Sequence, residues 1–150
     1  MKFLLPLLTL MMFSGCLTMK APDRFLVTER GGDELKAITP EESKLWVRSF
    51  DDDDQGGLPF WRDALLEDLK KNRGYVVVSE GESKDGNGNA GKELVLESTV
   101  NGRPVRELLA LFVYGGMWSD TIRVVEYVAE KEQFEKEVAG VRASIATMEP

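Results

Sequence analysis

The run Arg103 to Tyr114 constrains this chain more than any other stretch. Both of its alternating sets are apolar, with Leu109, Leu111 and Val113 on one side and Leu108, Ala110, Phe112 and Tyr114 on the other. Successive side chains of a strand point to opposite faces, so a strand of this kind has to be covered on both. Its neighbours in sequence are strands too. Glu93 to Val100 precedes it across Asn101-Gly102, a pair suited to a type I′ hairpin, and Pro104 sits at the strand start, where a missing N–H is tolerated. After the turn Gly115-Gly116-Met117-Trp118-Ser119-Asp120, the run Thr121 to Val128 places Ile122, Val124 and Val128 on one face and Val125 and Tyr127 on the other. Arg123 and Glu126 interrupt those faces and read as exposed or as a cross-strand ion pair, not as catalysts.

Two segments have the periodicity needed to cover such a sheet. From about Glu130 to Met148, the residues Phe134, Val138, Val141, Ile145 and Met148 form an amphipathic stripe. Glu130 and Glu132 suit the positive end of that helix. Leu58 to Arg73 carries Leu58, Trp61, Leu65 and Leu69 at helical spacing, Pro59 in its first turn, Lys70, Lys71 and Arg73 at its end, and Gly74 as the stop.

The remaining chain reads as short strands and turns. Arg24 to Glu29, Glu34 to Ile38 and Lys44 to Phe50 alternate in the β manner around Gly31-Gly32-Asp33 and Thr39-Pro40. Trp46 and Phe50 share a face and are read as core aromatics, not as a ligand platform. Tyr75 to Ser79 is a β-branched strand, and Glu80 to Lys92, rich in Gly and Asn, is expected to be a mobile hairpin loop. The acidic run Asp51 to Asp54 has the beginnings of a calcium loop, with oxygens at Asp51, Asp53 and Gln55 and a glycine at Gly56. Its twelfth position is Arg62 where a bidentate glutamate is needed. The expectation is a solvated loop whose charge favours the helix that follows, with no metal and no cofactor.

Composition prunes function. A chain of 150 residues with 43% hydrophobic content fits one domain. Its net charge of -7 would repel nucleic acid. There is no histidine and one cysteine, so Ser-His-Asp and Cys-His catalysis, histidine metal sites and internal disulfides are excluded. The chain is expected not to be an enzyme.

That one cysteine lies in a distinctive setting. Lys2, the apolar run Phe3 to Phe13, and Ser14-Gly15 lead directly to Cys16. The run is about half the length needed to span a bilayer, and with its basic start it has the form of a secretory signal. The segment resembles the signal and lipobox of bacterial lipoproteins. The resemblance implies that Phe13, Ser14 and Gly15 are read by the lipoprotein signal peptidase, that Cys16 receives a diacylglycerol, and that residues 1–15 are removed. Phe13 stands where that family usually has Leu. Residues 16–23 are then expected to be a lipidated tether reaching at most about 23 Å, ahead of a single domain over residues 24–150. Leu17 is not the aspartate that in enteric lipoproteins resembles an inner-membrane retention signal, which favours the outer membrane.

The element order, three short strands, a helix, a four-strand meander and a terminal helix, implies an α+β fold. An antiparallel sheet of six to seven strands with two helices packed on it satisfies the doubly apolar strand. This order looks like the Mog1/PsbP-like α+β sandwich, on the meander around Asn101-Gly102, the strand Leu108 to Tyr114, the strand Ile122 to Val128 and the helix with Phe134 and Val138. The resemblance implies a binding or assembly accessory and carries over no functional residue. The expected function is a lipid-anchored, non-enzymatic envelope protein on the periplasmic side, held to its membrane through Cys16, that binds or helps assemble another envelope protein. Met117 and Trp118 are the candidate contact, unless Trp118 folds back over the sheet. The alternatives are a small-molecule or lipid carrier with a pocket between sheet and helix, and a carboxylate-dependent hydrolase.

Overall fold

A computed structural model of the protein describes residues 17–150. Phe13, Ser14, Gly15 and Cys16 lie outside the described residues. The order is β1 (Leu26–Gly31), β2 (Glu34–Ile38), β3 (Lys44–Asp52), α1 (Gly57–Arg73), β4 (Val76–Lys84), β5 (Ala90–Val100), β6 (Arg103–Tyr114), β7 (Asp120–Glu130) and α2 (Lys131–Ile145). The strands form one seven-stranded sheet in the order β1-β2-β3-β7-β6-β5-β4, with every neighbouring pair antiparallel. The α+β expectation holds, with the two helices on opposite faces.

β6 is the strand on which both layers rest. Residues 107 to 112 are all buried. Leu108, Ala110 and Phe112 join Phe134, Val141 and Ile145 of α2 in one core, while Leu109 and Leu111 join Leu66 and Leu69 of α1 in the other. The turn into β6 has the backbone that Asn101-Gly102 anticipates, with φ of 51° and 76° and Val100 paired to Arg103. The stripe on α2 is as read as far as Ile145, with Phe134, Val141 and Ile145 buried and Val138 packed against them; Met148 is buried too but lies past the helix end.

α1 is positioned from both ends. Asp52, the last residue of β3, accepts hydrogen bonds from the Gly56 and Gly57 amides at 3.0 and 2.8 Å and from the Trp61 indole at 2.9 Å. These bonds satisfy donors that a helix N-terminus leaves free. The Gly57 amide, with the Trp61 indole next, holds the Asp52 carboxyl below its usual range. At the other end Gly74 takes the left-handed conformation, φ 67°, and returns its N–H to Leu69. The acidic run is therefore split: Asp51, Asp53 and Asp54 are exposed, and Asp52 is a structural anchor.

Three expectations need correction. The glycine-rich segment Glu80 to Lys92 is mostly sheet, since β4 and β5 pair from Val76↔Glu97 to Lys84↔Ala90 and leave only residues 85–89 as a loop. Backbone pairing needs no apolar alternation, so the sequence pattern does not report it. Arg123 is not exposed. It is buried on the α2 face, donating to Ser49 Oγ and the Glu149 carbonyl at 2.9 Å each, with its guanidinium over the Tyr114 ring. The segment following Cys16 is not a free tether either. Leu17 and Met19 are buried in the α2-side core. Leu17 donates its amide to Gly32 at 3.0 Å, Thr18 bridges Glu149, and Arg30 donates to the Met19 carbonyl at 3.0 Å.

A docked segment has an energetic consequence that a tether lacks. Met19→Ala is expected to lower unfolding stability by about 2–4 kcal/mol, the usual cost of truncating a buried Met. Urea unfolding of the purified protein measures it. An unchanged midpoint would show that the segment is loose in solution.

Candidate functional site

α1 leaves β3 at Asp52 and ends beside β4, crossing the sheet as it goes. Its apolar face covers β5 and β6, through Leu66 and Leu69, touches β7, and meets β3 at its end, where Trp61 packs edge-on to Phe50 at 4.8 Å and donates to Asp52. The part of this face formed by β2, β3 and the second half of β7 is left without a helix. A pocket of about 300 Å³ opens there, lined by Ile38, Lys44, Trp46, Arg73, Glu107 and Val128 among others.

Glu107 is its unusual member. The residue is 0% exposed, and neither carboxylate oxygen has a hydrogen-bond partner among the described residues. Burial pushes its carboxyl up from 4.5 to about 7, and the neighbouring Glu126 pushes the same way. Tyr75, Arg73 and Arg48 oppose that rise. The Tyr75 hydroxyl acts on it from nearby without the geometry of a hydrogen bond, so the carboxylate is unpartnered. Glu107 shares a face with Leu109 and Leu111, one step before the apolar set in the alternation. That position is the signal of a buried acid that the sequence carries.

The wall beside it also differs from the expectation. Trp46 is not a core residue; it is 38% exposed and lines the pocket. Its indole N–H donates to Glu34 at 2.6 Å, and its ring carries the Arg48 guanidinium at 4.6 Å and the Lys36 ammonium at 5.5 Å. Arg48 in turn donates to Glu126 Oε2 at 3.2 and 3.3 Å, so Glu126 finds its partner across β3 and β7. Phe50, the other aromatic of this face, belongs to the α1-side core. Glu107 and Glu126 are diagonal neighbours on β6 and β7, since Glu107 lies opposite Val128 and Leu109 opposite Glu126. They do not form an acid–base couple aimed at solvent, because Glu126 is tied to Arg48 and Glu107 is enclosed.

The second candidate surface is the turn between β6 and β7. Met117 is 88% exposed and Trp118 is 92% exposed. Trp118 does not fold back over the sheet. The turn closes at the end of the sheet where Asp52 pairs with Asp120 and where Asp33, Asp51, Tyr114, Gly115 and Pro150 meet around one crevice.

The remaining polar clusters are structural. Asp85 accepts from the amides of Asn87 and Asn89 at 3.0 and 2.8 Å, from Asn89 Nδ2 at 2.8 Å and from the Tyr114 hydroxyl at 2.9 Å. Burial alone would raise its carboxyl, but these donors outweigh it and hold the group low. Among the described residues no group of three or more His, Cys, Asp or Glu side chains is placed to hold a metal ion. Among them, too, no helix is long and apolar enough to cross a membrane.

Neither a family model nor a curated relative matches the chain. Solved structures do. The fold defines an α+β sandwich of the Mog1-like class. LpqN of Mycobacterium tuberculosis, involved in cell envelope biogenesis, has a TM-score of 0.69 at 13% identity, covering 89% of this chain and 83% of that one. PA94, a protein of unknown function from Pseudomonas aeruginosa, has a TM-score of 0.57 at 12% identity, covering 91% and 98%. A point mutant of the protein Mog1 has a TM-score of 0.54 at 14% identity, covering 87% and 84%. At these identities the likeness establishes the fold.

The raised Glu107 carboxyl ties stability to pH. Its folded value, about 7, lies above the ordinary 4.5, so the folded state holds the proton more tightly and stability falls as pH rises between those two values. Above pH 7 the cost amounts to about 3 kcal/mol. Glu107→Gln is expected to be more stable than the native chain by up to that amount at pH 8, and nearly equal to it at pH 4.5. Urea unfolding at pH 4.5, 6 and 8 checks this. A difference that stays constant with pH would show that Glu107 is not held protonated.

Proposed function

We propose that the protein is a non-catalytic accessory of the cell envelope, anchored through a lipid on Cys16 on the periplasmic side, that docks on another envelope protein through Met117 and Trp118. The observation that carries the docking half is the pair itself. Two large apolar side chains stand 88% and 92% exposed at one turn, more than any other large apolar side chain among the described residues. Trp is the side chain most often found to dominate protein interfaces, and Met adapts to irregular partner surfaces. Envelope attachment draws on the Phe13-Ser14-Gly15-Cys16 sequence and on the likeness to LpqN, a protein of envelope biogenesis. Leu17 after the cysteine favours the outer membrane. Among the described residues no helix is long and apolar enough to cross a membrane.

The two halves separate experimentally. Cys16→Ala is expected to release the protein from envelope membranes into the soluble fraction. Met117→Ala with Trp118→Ala is expected to keep it membrane-bound and folded while removing most of the partner recovered by cross-linking in the native envelope. Membrane association that survives Cys16→Ala would end the anchoring half. Unchanged cross-linking in the double variant would end the docking half.

A further inference from the structure

We propose that the pocket beside Trp46 binds a small amphipathic carboxylate, with its anionic group between Lys44 and Arg73 and its apolar body against Ile38, Val128 and the Trp46 side chain. This goes beyond the envelope role and depends on neither Cys16 nor the Met117–Trp118 turn.

The first argument is the charge that the pocket wall leaves uncompensated. Its lining cations are Lys36, Lys44 and Arg73, and its lining acids are Glu107 and Glu126. Lys36 is paired with Glu29 and Glu34, and Glu126 with Arg48. Lys44 and Arg73 have no ion-pair partner among the described residues. Glu107 does not supply the missing charge. Both of its oxygens are enclosed, and burial pushes its carboxyl up to about 7, so below that pH it is mostly neutral. Two cations are thus left over at one pocket of a chain whose net charge is -7.

The second argument is how the sheet sets these groups out. Ile38 lies opposite Lys44, Lys44 opposite Val128, and Val128 opposite Glu107, so the four form one row across β2, β3, β7 and β6. Residues directly opposite one another share a face, and Trp46 takes the same face two positions beyond Lys44. The Lys44 stem therefore rises between two apolar side chains. Arg73 ends α1 on the other side of the row, where it acts on Glu107 through space. Unlike Glu107, both Lys44 and Arg73 are exposed, so a ligand can reach them. A guanidinium offers a carboxylate two parallel N–H donors, and an ammonium adds a compact point charge.

The third argument is size and polarity. Ile38, Val128 and Trp46 give the pocket apolar surface, and its volume of about 300 Å³ is at the lower end of small-molecule sites. A short alkyl or aryl body fits this space better than a long acyl chain. An amine of the same shape would meet Lys44 and Arg73 with like charge, and an alcohol would offer them a hydrogen bond without charge.

The test is a titration of the native protein with hexanoate, 1-hexanol and n-hexylamine at pH 6 and low salt, where Glu107 keeps its proton and a free carboxylate is ionised. Calorimetry measures affinity, and the NMR signals of the Ile38 and Val128 methyl groups report the place. Saturable millimolar or tighter binding of hexanoate is expected, at least tenfold tighter than hexanol, with both sets of methyl signals shifted and no saturation by hexylamine. Lys44→Gln with Arg73→Gln should bring hexanoate down to the affinity of hexanol, and Ile38→Ser should weaken it as well. Exposed positions of this kind change stability little, and the urea midpoint of each variant is measured alongside. The ranking of the three probes on the native protein needs no variant at all. Hexanol or hexylamine binding as tightly as hexanoate, unchanged hexanoate affinity in the folded double variant, saturation that leaves the Ile38 and Val128 signals in place, or no saturable hexanoate binding would overturn the proposal.

Discussion

Burial of β6 on both faces is the constraint from which the architecture follows. A strand with Leu109 and Leu111 on one side and Leu108, Ala110 and Phe112 on the other cannot lie at the surface of a two-layer protein, so the chain must supply a helix to each face. It does so with different means. α2 follows β7 directly and folds back across the sheet, whereas α1 is a crossover from β3 to the far edge at β4. The crossover is why the two faces are covered unequally. α2 has the N-terminal segment, through Leu17 and Met19, to complete its layer, while α1 has nothing comparable among the described residues and leaves part of its face open.

Glu107 shows what that inequality does chemically. It lies on the α1 face of the same strand, at the margin of the helix-covered region, enclosed yet beside an open pocket. Had α1 lain along β3, the position would suit a leucine. A glutamate there costs stability above pH 7 and gains nothing from a partner within the described chain. Arg73 and Arg48 are the cations that act on it, and Arg48 is committed to Glu126 and to the face of Trp46. The polar ladder over β2, β3 and β7 is therefore internally paired, and the acid beside it is left out of the pairing.

How much of this is legible in the sequence depends on which physical signal each element leaves. β6 and α2 announce themselves because side-chain burial at period two or at helical spacing is written in residue types. The extension of β4 and β5 through Gly81, Glu82 and Ser83 is not legible, because backbone hydrogen bonds hold it and its side chains are largely exposed. Trp46 misleads for a different reason: alternation shows which face a residue takes, but not whether a helix covers that part of the face. The same limit hides the pocket. Leu17 and Met19 look like a spacer because a short segment with two apolar side chains has no periodicity to read, and their burial is decided by distant partners at Gly32 and Glu149.

The docked segment from Leu17 also bears on how the proposed anchor would present the molecule. Leu17 is held at Gly32, and the adjoining Asp33 shares its crevice with Asp51, Gly115 and Thr121, at the end of the sheet that carries Met117 and Trp118. A lipid on Cys16 would therefore place this end towards the membrane with little slack, since Leu17 and Met19 are packed instead of extended. The partner met by Met117 and Trp118 would then be a protein at the membrane surface itself. The acidic side chains exposed around the turn, Asp51, Asp53 and Asp54 among them, disfavour close approach to anionic head groups and favour a protein surface carrying basic residues. The pocket beside Trp46 opens towards the opposite end, near Ile38, Lys44 and Val128, and stays clear of the bilayer in that orientation. The turn and the pocket thus occupy opposite ends of one sheet, joined by β6 and β7, which carry the turn at one end and Glu107 and Val128 towards the other.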